Sequence, residues 1–367
     1  MKYLYLNELN VFSSISIEDK DIKNGVVDFK GEFKDINSIV FGTSCFEYEG
    51  EKRSAIKEII MPRNTAGIGK KAFSKIKCKE INLTRIECSS LINFSKDAFL
   101  GCPATVVVTD NLPNKILQML PLARKAYWLP AHSSHKKLDI SSLYSKTCII
   151  GEGFESLHVG NDNAITNLIL PKSLKSLSGK LPSISKINLE NTNIEEVPEE
   201  LFQQNKKMRE IALPPTIKKI GARSFKGMGP LEISFENCCA LKTIEDEAFL
   251  STKISENIIF PDKLEYIGDN AFRYCGIKTI EFPPALCHIG NGCFMGNELT
   301  AVQLGKTAIS EIGDYSFSEN GITFFSLPPY CYSIGNEAFR YNNINVEKIE
   351  HILANINVGE DAFKNNI

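Results

Sequence analysis

Residues 267–283 read IGDNAFRYCGIKTIEFP, and the opening of this stretch returns at residues 334–339 as IGNEAF. The hexamer Ile-Gly-x-x-Ala-Phe recurs with small changes along the chain, beginning at Ile68, Ile220, Ile244, Ile289, Ile312 and Val358. From Phe202 onward, the phenylalanines of this pattern follow one another at intervals of 22 to 24 residues. A regular interval of this length predicts a repeat protein whose units stack on one another.

Each repeat carries a second pattern, seen as Ile277-x-x-Ile280-x-Phe282-Pro283 in the opening stretch. The alternation of apolar and polar residues at its end predicts a short strand with one buried face. Proline then ends the strand, because it lacks the N–H group that a ladder needs. About 22 residues separate one strand from the next, which is too short for a crossover with a long helix but enough for one solenoid coil.

The hexamer itself is typical of packing between coils. We expect a helix of about one and a half turns to begin after Gly268, with Asp269 as its N-cap. Gly268 would permit the sharp turn that precedes the helix. Phe272 would then point between neighbouring coils, and Ala271 would stay small because the backbone passes close to the strand layer.

These motifs resemble the BspA-like family of leucine-rich repeats, from about Glu199 to Phe363 and again from about Ser54 to Cys102. The resemblance implies an α/β fold: a right-handed leucine-rich repeat solenoid, with a parallel sheet on the concave side and short helices or turns on the convex side. It also implies a ligand-binding surface, since members of the family include bacterial and protozoan surface adhesins.

The repeat pattern predicts five regions. They are an N-terminal cap (1–30), BspA-like repeats (31–110), an irregular helical insertion (111–136), degenerate leucine-rich repeats (137–198) and BspA-like repeats with the C-terminal end (199–367). We expect one continuous solenoid with a mid-chain irregularity; two blocks meeting near residues 110–136 are the alternative. The intervals from Val27 to Ile39 and from Leu157 to Leu168 are too short for a full coil, which predicts hairpins or abbreviated turns there.

Because only four residues follow Phe363 in this sequence, we expect no separate polar capping module at the C-terminal end. Two arrangements remain open. Either Glu347–Asn357 folds over the last coil as a cap, or the uncapped coil pairs with another copy and forms a homo-oligomer.

Composition limits the classes of partner. The 42 basic and 44 acidic residues give a net charge of −2, which predicts binding neither to nucleic acid nor to an anionic membrane. No apolar run approaches the roughly 18 residues that a spanning helix needs, and the first residues are a poor secretory signal. We therefore expect a cytoplasmic protein or one secreted without a classical signal peptide, reaching the host cytosol if it is an effector.

Catalytic and metal-binding patterns are weak. The 11 cysteines show no paired spacing, which favours small buried side chains in a reducing compartment over a disulfide framework or a zinc site. His132 and His135 have a spacing that could share a metal, but no acidic or cysteine partner stands nearby in a pattern. The sequence predicts no catalytic residues, no metal site, no cofactor and hence no enzyme.

The remaining prediction is a non-enzymatic, protein-binding module that uses the concave sheet face, as an intracellular scaffold or a bacterial effector delivered into a host. The alternative is a surface or extracellular adhesin without a recognisable export signal. Tyr127 and Trp128 are a second candidate contact, as aromatic anchors in the insertion. The candidate ligand-binding residues flank the buried positions of the strands: Arg209, Glu210, Lys278, Thr279, Glu281, Gln303, Thr323, Phe324 and Ser326.

Overall fold

The computed structural model describes residues 2–6, 11–29, 33, 36, 38–48, 56–86, 93–95, 97–110, 125–130, 132–141, 145–161 and 163–367. The chain divides into two compact units. The first comprises residues 1–155 and 162–171, and the second comprises residues 156–161 and 172–367. In both units, short parallel strands alternate with turns, so that successive coils stack.

The first unit contains two sheets and a 3-10 helix at Asp19–Asp21. Its strands are β1 (Lys2–Leu6), β2 (Val11–Ile17), β3 (Val26–Asp28), β4 (Ile39–Phe41), β5 (Phe46–Tyr48), β6 (Glu58–Ile60), β7 (Thr65–Ile68), β8 (Glu80–Asn82), β9 (Asn93–Phe94), β10 (Thr105–Thr109), β11 (Lys125–Leu129), β12 (Lys137–Asp139), β13 (Thr147–Ile150) and β15 (Asn167–Ile169). One parallel sheet runs in the order β15-β13-β11-β10-β8-β6-β3, and the other runs β1-β2-β4-β7-β9, with β5 also paired to β2. In the second of these sheets β1 is antiparallel to β2.

The structure corrects two predictions for this part of the chain in part. Residues 125–129 of the expected helical insertion form strand β11, which pairs with β10 and β13; residues 111–124, where its helix was expected, lie outside the described residues. Ala126 and Trp128 alternate inward along β11, so burial of one strand face decides its structure. The short interval from Val27 to Ile39 is not a hairpin, because β3 and β4 belong to different sheets, and the abbreviated turn stays a prediction.

The second unit is also built from stacked coils, and most of these coils contain two short strands. It contains β14 (Ser156–His158), β16 (Ser176–Ser178) and β17 (Lys186–Ile187), followed by a 3-10 helix at Leu189–Asn191. Ladder A is our name for β19 (Glu210–Ile211), β21 (Glu232–Ile233), β23 (Asn257–Ile259), β25 (Thr279–Glu281), β27 (Ala301–Gln303) and β29 (Phe324–Ser326). Ladder B is our name for β18 (Glu196–Val197), β20 (Lys219–Ile220), β22 (Thr243–Ile244), β24 (Tyr266–Ile267), β26 (His288–Ile289), β28 (Glu311–Ile312), β30 (Ser333–Ile334) and β31 (Asn357–Val358).

Ladder A contains the strands that the sequence predicted, whereas ladder B was not foreseen. In the second unit, the first residue of each hexamer is the second residue of a ladder B strand. These strands pair in parallel from β18 to β26 and again from β28 to β31. Each coil therefore contributes one strand to each ladder, and a turn containing the hexamer phenylalanine closes the coil.

The predicted helix after Gly268 is replaced by turns. Asn270 and Tyr274 have φ angles of 54° and 57°, a left-handed conformation that interrupts a right-handed helix. The backbone N–H groups of Asn270, Phe272 and Tyr274 donate to carbonyl groups of the next coil, at 2.8, 2.9 and 3.0 Å. Because these donors are used between coils, they are not available for helical bonds within the turn.

Asp269 also acts between coils rather than as an N-cap. Its Oδ1 accepts the backbone N–H of Asn291, which has the same place in the next coil, at 2.7 Å. Asp246, Asn291, Asp314 and Asn336 accept in the same way from the coil that follows each of them. In these five successive coils the third position of the hexamer is therefore occupied by a short side chain with an acceptor oxygen.

The hexamer glycine allows neighbouring coils to approach closely. A Cβ atom on Gly290 would lie 2.5 Å from the backbone nitrogen of Asp269 and 2.5 Å from the carbonyl carbon of Gly268. Neither Gly268 nor Gly290 has a positive φ, so the expected role in a sharp turn is replaced by contact between backbones.

The hexamer phenylalanines form one continuous column of rings in the second unit. Successive ring centroids from Phe202 to Phe363 are between 4.9 and 5.6 Å apart, and the ring planes differ by 2 to 28°. The first unit has a shorter column in which Phe73 stacks between Phe46 and Phe99, at 4.7 and 5.4 Å. This arrangement confirms the prediction that the phenylalanines pack between coils.

Asparagines run beside the ring column, three residues after Phe202 and three residues after each phenylalanine from Phe294 to Phe363. Asn297 is typical: its Oδ1 accepts the N–H groups of Cys275 and Ile277, and its Nδ2 donates to the carbonyls of Phe272 and Phe294. Equivalent bonds are made by Asn320, Asn342 and Asn366. Each amide therefore satisfies backbone groups of two successive coils that water cannot reach.

The C-terminal segment continues the repeat instead of lying across it. A 3-10 helix at Val346–Ile349 and helix α1 at Glu350–Leu353 contain no buried residue. Asn357–Val358 then pairs with β30 as the last strand of ladder B. The repeat spacing places the next strand of ladder A at the residues that form the 3-10 helix and helix α1. Ladder A therefore ends at β29.

Candidate functional site

Ladder A presents a face of exposed side chains over a buried row. The central residues Ile211, Ile258 and Phe325 are buried, while the residues on either side of them point outward. This alternation positions the predicted ligand-binding residues: Arg209, Glu210, Lys278, Thr279, Glu281, Gln303, Thr323 and Phe324 are exposed, and Ser326 is half-buried.

The register of the strands brings some of these residues together. Thr279 lies opposite Asn257, and its Oγ1 donates to Asn257 Oδ1 at 2.6 Å. Lys278 Nζ forms an ion pair with Glu256 Oε2 at 2.9 Å, and this hydrogen bond raises the pKa of Lys278.

Arg209, Lys278 and Phe324 share the face but do not form one cluster. Arg209 precedes β19, Lys278 precedes β25 and Phe324 begins β29. Paired strands are about 4.8 Å apart, and five strand steps separate β19 from β29, so one side chain of a partner cannot reach both ends of the ladder. These three residues can contact one partner only if that partner extends along the face.

The structure contradicts the choice of Trp128 as a surface anchor. Its side chain is 1% exposed, because it occupies an inward position of β11 in the first unit. Tyr127, on the opposite face of the strand, is half-buried. Of this pair, Trp128 therefore packs in the core, and only Tyr127 is partly accessible.

Exposed tyrosines in the second unit were missed from the sequence. Tyr330 is 83% exposed and Tyr332 is 55% exposed; both follow Pro328-Pro329, where the chain turns from ladder A to ladder B. The Tyr332 hydroxyl donates to the Glu311 carboxylate, which raises the pKa of Tyr332. The two prolines before them indicate a turn, and this sequence signal could have identified both tyrosines as exposed.

Two cavities open on the ladder A face between β21 and β23. One, of about 200 Å³, is lined by Arg209, Pro230, Leu231, Glu232, Lys253, Ile254 and Ser255. The other, of about 230 Å³, is lined by Ile233, Ser234, Phe235, Glu236, Ser255, Asn257, Ile258 and Ile259. They combine apolar floors with polar rims, a composition suited to recognition of side chains.

Within the described ranges, no group of three or more histidine, cysteine, aspartate or glutamate side chains could hold a metal ion. The His132 and His135 rings meet edge to face with centroids 5.1 Å apart, and His135 Nδ1 lies 2.8 Å from Asp110 Oδ2. The contact with Asp110 therefore explains the histidine pair by packing and hydrogen bonding within the fold. Among the described residues, no helix has the length and apolar character needed to cross a membrane.

Most of the cysteines are buried, as predicted. Of the ten in the described part of the chain, only Cys239 and Cys287 are exposed. Burial raises the pKa of Cys45, Cys78 and Cys148 to about 12, so these thiols stay protonated near neutral pH. A thiol is a poor nucleophile in that form.

Thiol reactivity provides a test of this burial. With iodoacetamide at pH 8, we expect rapid alkylation of Cys239 and Cys287, and modification of Cys148 and Cys275 only after unfolding. Peptide mapping by mass spectrometry measures the rate at each site. Alkylation of Cys148 in the native protein as fast as that of Cys239 would contradict the assignment.

Comparisons with known proteins agree with the repeat architecture. The family model described as BspA type leucine-rich repeat region matches residues 8–106, 160–254 and 242–367, in six copies. None of the curated proteins gives a significant match.

Solved leucine-rich repeat structures are similar at low sequence identity. A leucine-rich repeat protein from Eubacterium ventriosum is 15% identical, with 94% of this chain and 91% of that chain covered and a TM-score of 0.38. A leucine-rich repeat protein from Bacteroides ovatus is 16% identical, with 99% and 90% covered and a TM-score of 0.36. The pneumococcal vaccine antigen PcpA is 13% identical, with 98% of both chains covered and a TM-score of 0.33. The family match extends over well more than half of the sequence, and the chain therefore belongs to the BspA-type leucine-rich repeat proteins.

Proposed function

We propose that this protein is a non-enzymatic module that binds a partner protein through the exposed face of ladder A, which we take to be the concave side of a right-handed solenoid. The observation that carries the proposal is the mixture of side chains on that face. Phe324 and Ile259 are 55% and 45% exposed on the same face as the charged residues Arg209 and Glu281, and Ile259 stands opposite Glu281 in the register of β23 and β25. Exposed apolar groups among charges are typical of protein-binding surfaces.

The charges of ladder B differ, because they are largely compensated between coils. Lys219 Nζ lies 3.0 Å from both Glu196 Oε1 and Glu245 Oε1, and Lys242 Nζ lies 2.8 Å from Glu265 Oε1. Such pairs hold neighbouring coils and leave little charge for a partner.

On ladder A, by contrast, Arg209, Glu210 and Glu281 form no ion pair within the described residues. Glu210 also stands directly opposite Glu232 in the register of β19 and β21. Like charges opposite each other are unfavourable in the unbound protein. A partner that brings complementary charge would relieve this repulsion, which supports ladder A as the binding face.

The proposed setting is a reducing compartment, in which the protein acts as an intracellular scaffold or as an effector in a host cytosol. The support is the cysteine content: ten cysteines in the described residues are free thiols. Disulfides are common in secreted proteins and rare in the cytosol. An extracellular adhesin is the alternative, and the identity of the captured partner distinguishes the two.

The test compares two triple variants of matched composition in affinity capture from native and host lysates. Arg209→Ala/Lys278→Ala/Phe324→Ala changes the ladder A face, and Arg273→Ala/Lys364→Ala/Tyr341→Ala changes the turns of the same unit. Both triples remove one arginine, one aromatic side chain and one lysine paired with a carboxylate at 2.8 or 2.9 Å.

We expect the ladder A triple to lower partner recovery at least about tenfold, equivalent to about 1.4 kcal/mol of binding free energy. The turn triple should retain the recovery of the unmodified protein. Equal recovery by both triples would exclude the ladder A face as the binding surface.

A further inference from the structure

Ladder A opens between β21 and β23. The strands β19 and β21 form one pair and β23 and β25 form the next, without strand pairing between them. Two isolated bonds cross the gap: Leu231 N–H donates to the carbonyl of Lys253 at 2.9 Å, and Ser255 Oγ donates to the carbonyl of Ile233 at 3.3 Å. The two cavities of the face lie at this opening and share Ser255.

The smaller cavity combines an apolar floor with a charged rim. Leu231 and Ile254 are 2% and 4% exposed and form the floor. Arg209 and Lys253 supply two positive charges to the lining, and Glu232 supplies one negative charge. The side chains around the cavity therefore carry a net charge of +1 at neutral pH.

Arg209 is held in place without being neutralised. Its Nη1 donates to the carbonyl of Met208 at 3.3 Å and lies against Gly229, where a Cβ atom would be only 2.5 Å from Nη1. Arg223 and Arg340 of the same unit have carboxylate partners, as Arg223 does with Glu200 at 2.9 Å. In the described part of the chain Arg209 has no such partner.

We propose that this cavity binds a carboxylate carried by an apolar residue of a partner polypeptide, such as a C-terminal leucine; this inference rests on the proposed function. The guanidinium fork of Arg209 matches a carboxylate, and Lys253 adds a second positive charge. The apolar part of the residue covers Leu231 and Ile254. A volume of about 200 Å³ is below the range of about 300–1,000 Å³ typical of small-molecule sites, and it suits a single side chain.

The charge on the rim also selects among anions. A single negative charge neutralises the net charge of +1, and a carboxylate on an apolar residue also contacts Leu231 and Ile254, so the cavity favours this ligand over a phosphate group. The apolar floor gives a phosphate ion no further contact.

Ligand-observed saturation-transfer NMR on the full chain tests the proposal, with N-acetyl-leucine as the probe. N-acetyl-leucinamide lacks the carboxylate and N-acetylglycine lacks the isobutyl group. Arg209→Gln removes the charge, Arg209→Lys keeps the charge but loses the fork, and Arg273→Gln is the matched control on the turns. Far-UV circular dichroism verifies that each variant is folded.

We expect N-acetyl-leucine to bind, the two truncated probes to bind at least about fivefold more weakly, and Arg209→Gln to weaken binding by a similar factor. Arg209→Lys should fall between, and Arg273→Gln should have no effect. Equal binding of leucine and leucinamide probes, or no loss in Arg209→Gln, would overturn the proposal. Displacement of N-acetyl-leucine by inorganic phosphate at equal concentration would overturn the preference for a monoanion.

The two proposals can fail separately. Absence of N-acetyl-leucine binding, together with loss of partner capture in the ladder A triple, rejects the carboxylate site and leaves the binding face. Binding of N-acetyl-leucine at Arg209, with partner capture unchanged in the triple, rejects the face and leaves a carboxylate site of another purpose.

Discussion

Replacing Phe272 with alanine is expected to lower the free energy of unfolding by about 3–5 kcal/mol. The Phe272 ring is fully buried and stacks between Phe249 and Phe294, with centroids 5.0 and 5.5 Å away. Phe260 meets it edge to face at 5.5 Å. The substitution removes the apolar contact with both adjacent coils and leaves a cavity that the ring column cannot close, because neighbouring rings are fixed by their own coils.

Phe324→Ala is the matched control, since it makes the same chemical change at a ring that is 55% exposed. We expect a loss below about 1 kcal/mol for this variant. Urea titration followed by far-UV circular dichroism compares the two variants. The single tryptophan, Trp128, lies in the first unit, so its fluorescence does not report directly on the column around Phe272. A Phe272→Ala loss as small as that of Phe324→Ala would disprove the buried column.

Asn342→Ala is the second large effect, with an expected loss of about 1–3 kcal/mol, since a buried backbone group left without a partner costs about that much. The Asn342 side chain accepts from the N–H of Ile322 at 3.0 Å and donates to the carbonyls of Phe317 and Phe339 at 2.9 Å each. Alanine leaves the N–H of Ile322 without a partner beside the ring column. The carbonyls of Phe317 and Phe339 keep the bonds that they accept from Asn320 and Asn366.

The neighbouring residue provides the control for this variant. Asn343 is exposed, and Asn343→Ala should change stability by less than about 0.5 kcal/mol. Native-state hydrogen exchange localises the effect: the amide of Ile322 should exchange much faster in Asn342→Ala and at the unmodified rate in Asn343→Ala. Unchanged protection of the Ile322 amide in Asn342→Ala would show that its hydrogen bond to the side chain is dispensable.

The sequence was most informative where one residue has one dominant contact. The interval between Phe249, Phe272 and Phe294 predicted their stacking, because an apolar ring that recurs once per coil has to be buried against its equivalents. The alternation around Ile280 predicted a ladder A strand in the same way. Both predictions follow from burial and periodicity alone.

Predictions failed where contacts between coils override local preference. The segment after Gly268 has the length and composition of a short helix, yet its N–H groups donate to the next coil, and Asn270 adopts a left-handed conformation. Trp128 was interpreted as a surface residue because the surrounding period breaks, although one face of β11 is buried within a sheet. Neither outcome can be deduced from a single repeat.

The candidate site was predictable only as a set of outward positions. The strand pattern placed Arg209 and Phe324 on the exposed face, as the structure does. The cavity beside Arg209 depends on the missing pairing between β21 and β23, a property of two coils together. The room for the guanidinium comes from Gly229, for which the sequence suggests no such role by itself.

The acceptor side chains at the third hexamer position have a consequence for how the gene can change length. Asp269 binds the same place in the following coil, as do Asp246, Asn291 and Asp314. Insertion or deletion of one whole coil among these therefore brings an equivalent donor to an equivalent acceptor, whereas a change of a few residues misaligns both ladders at once. Molecules of this kind can be lengthened by duplication of a single unit and remain foldable at every step.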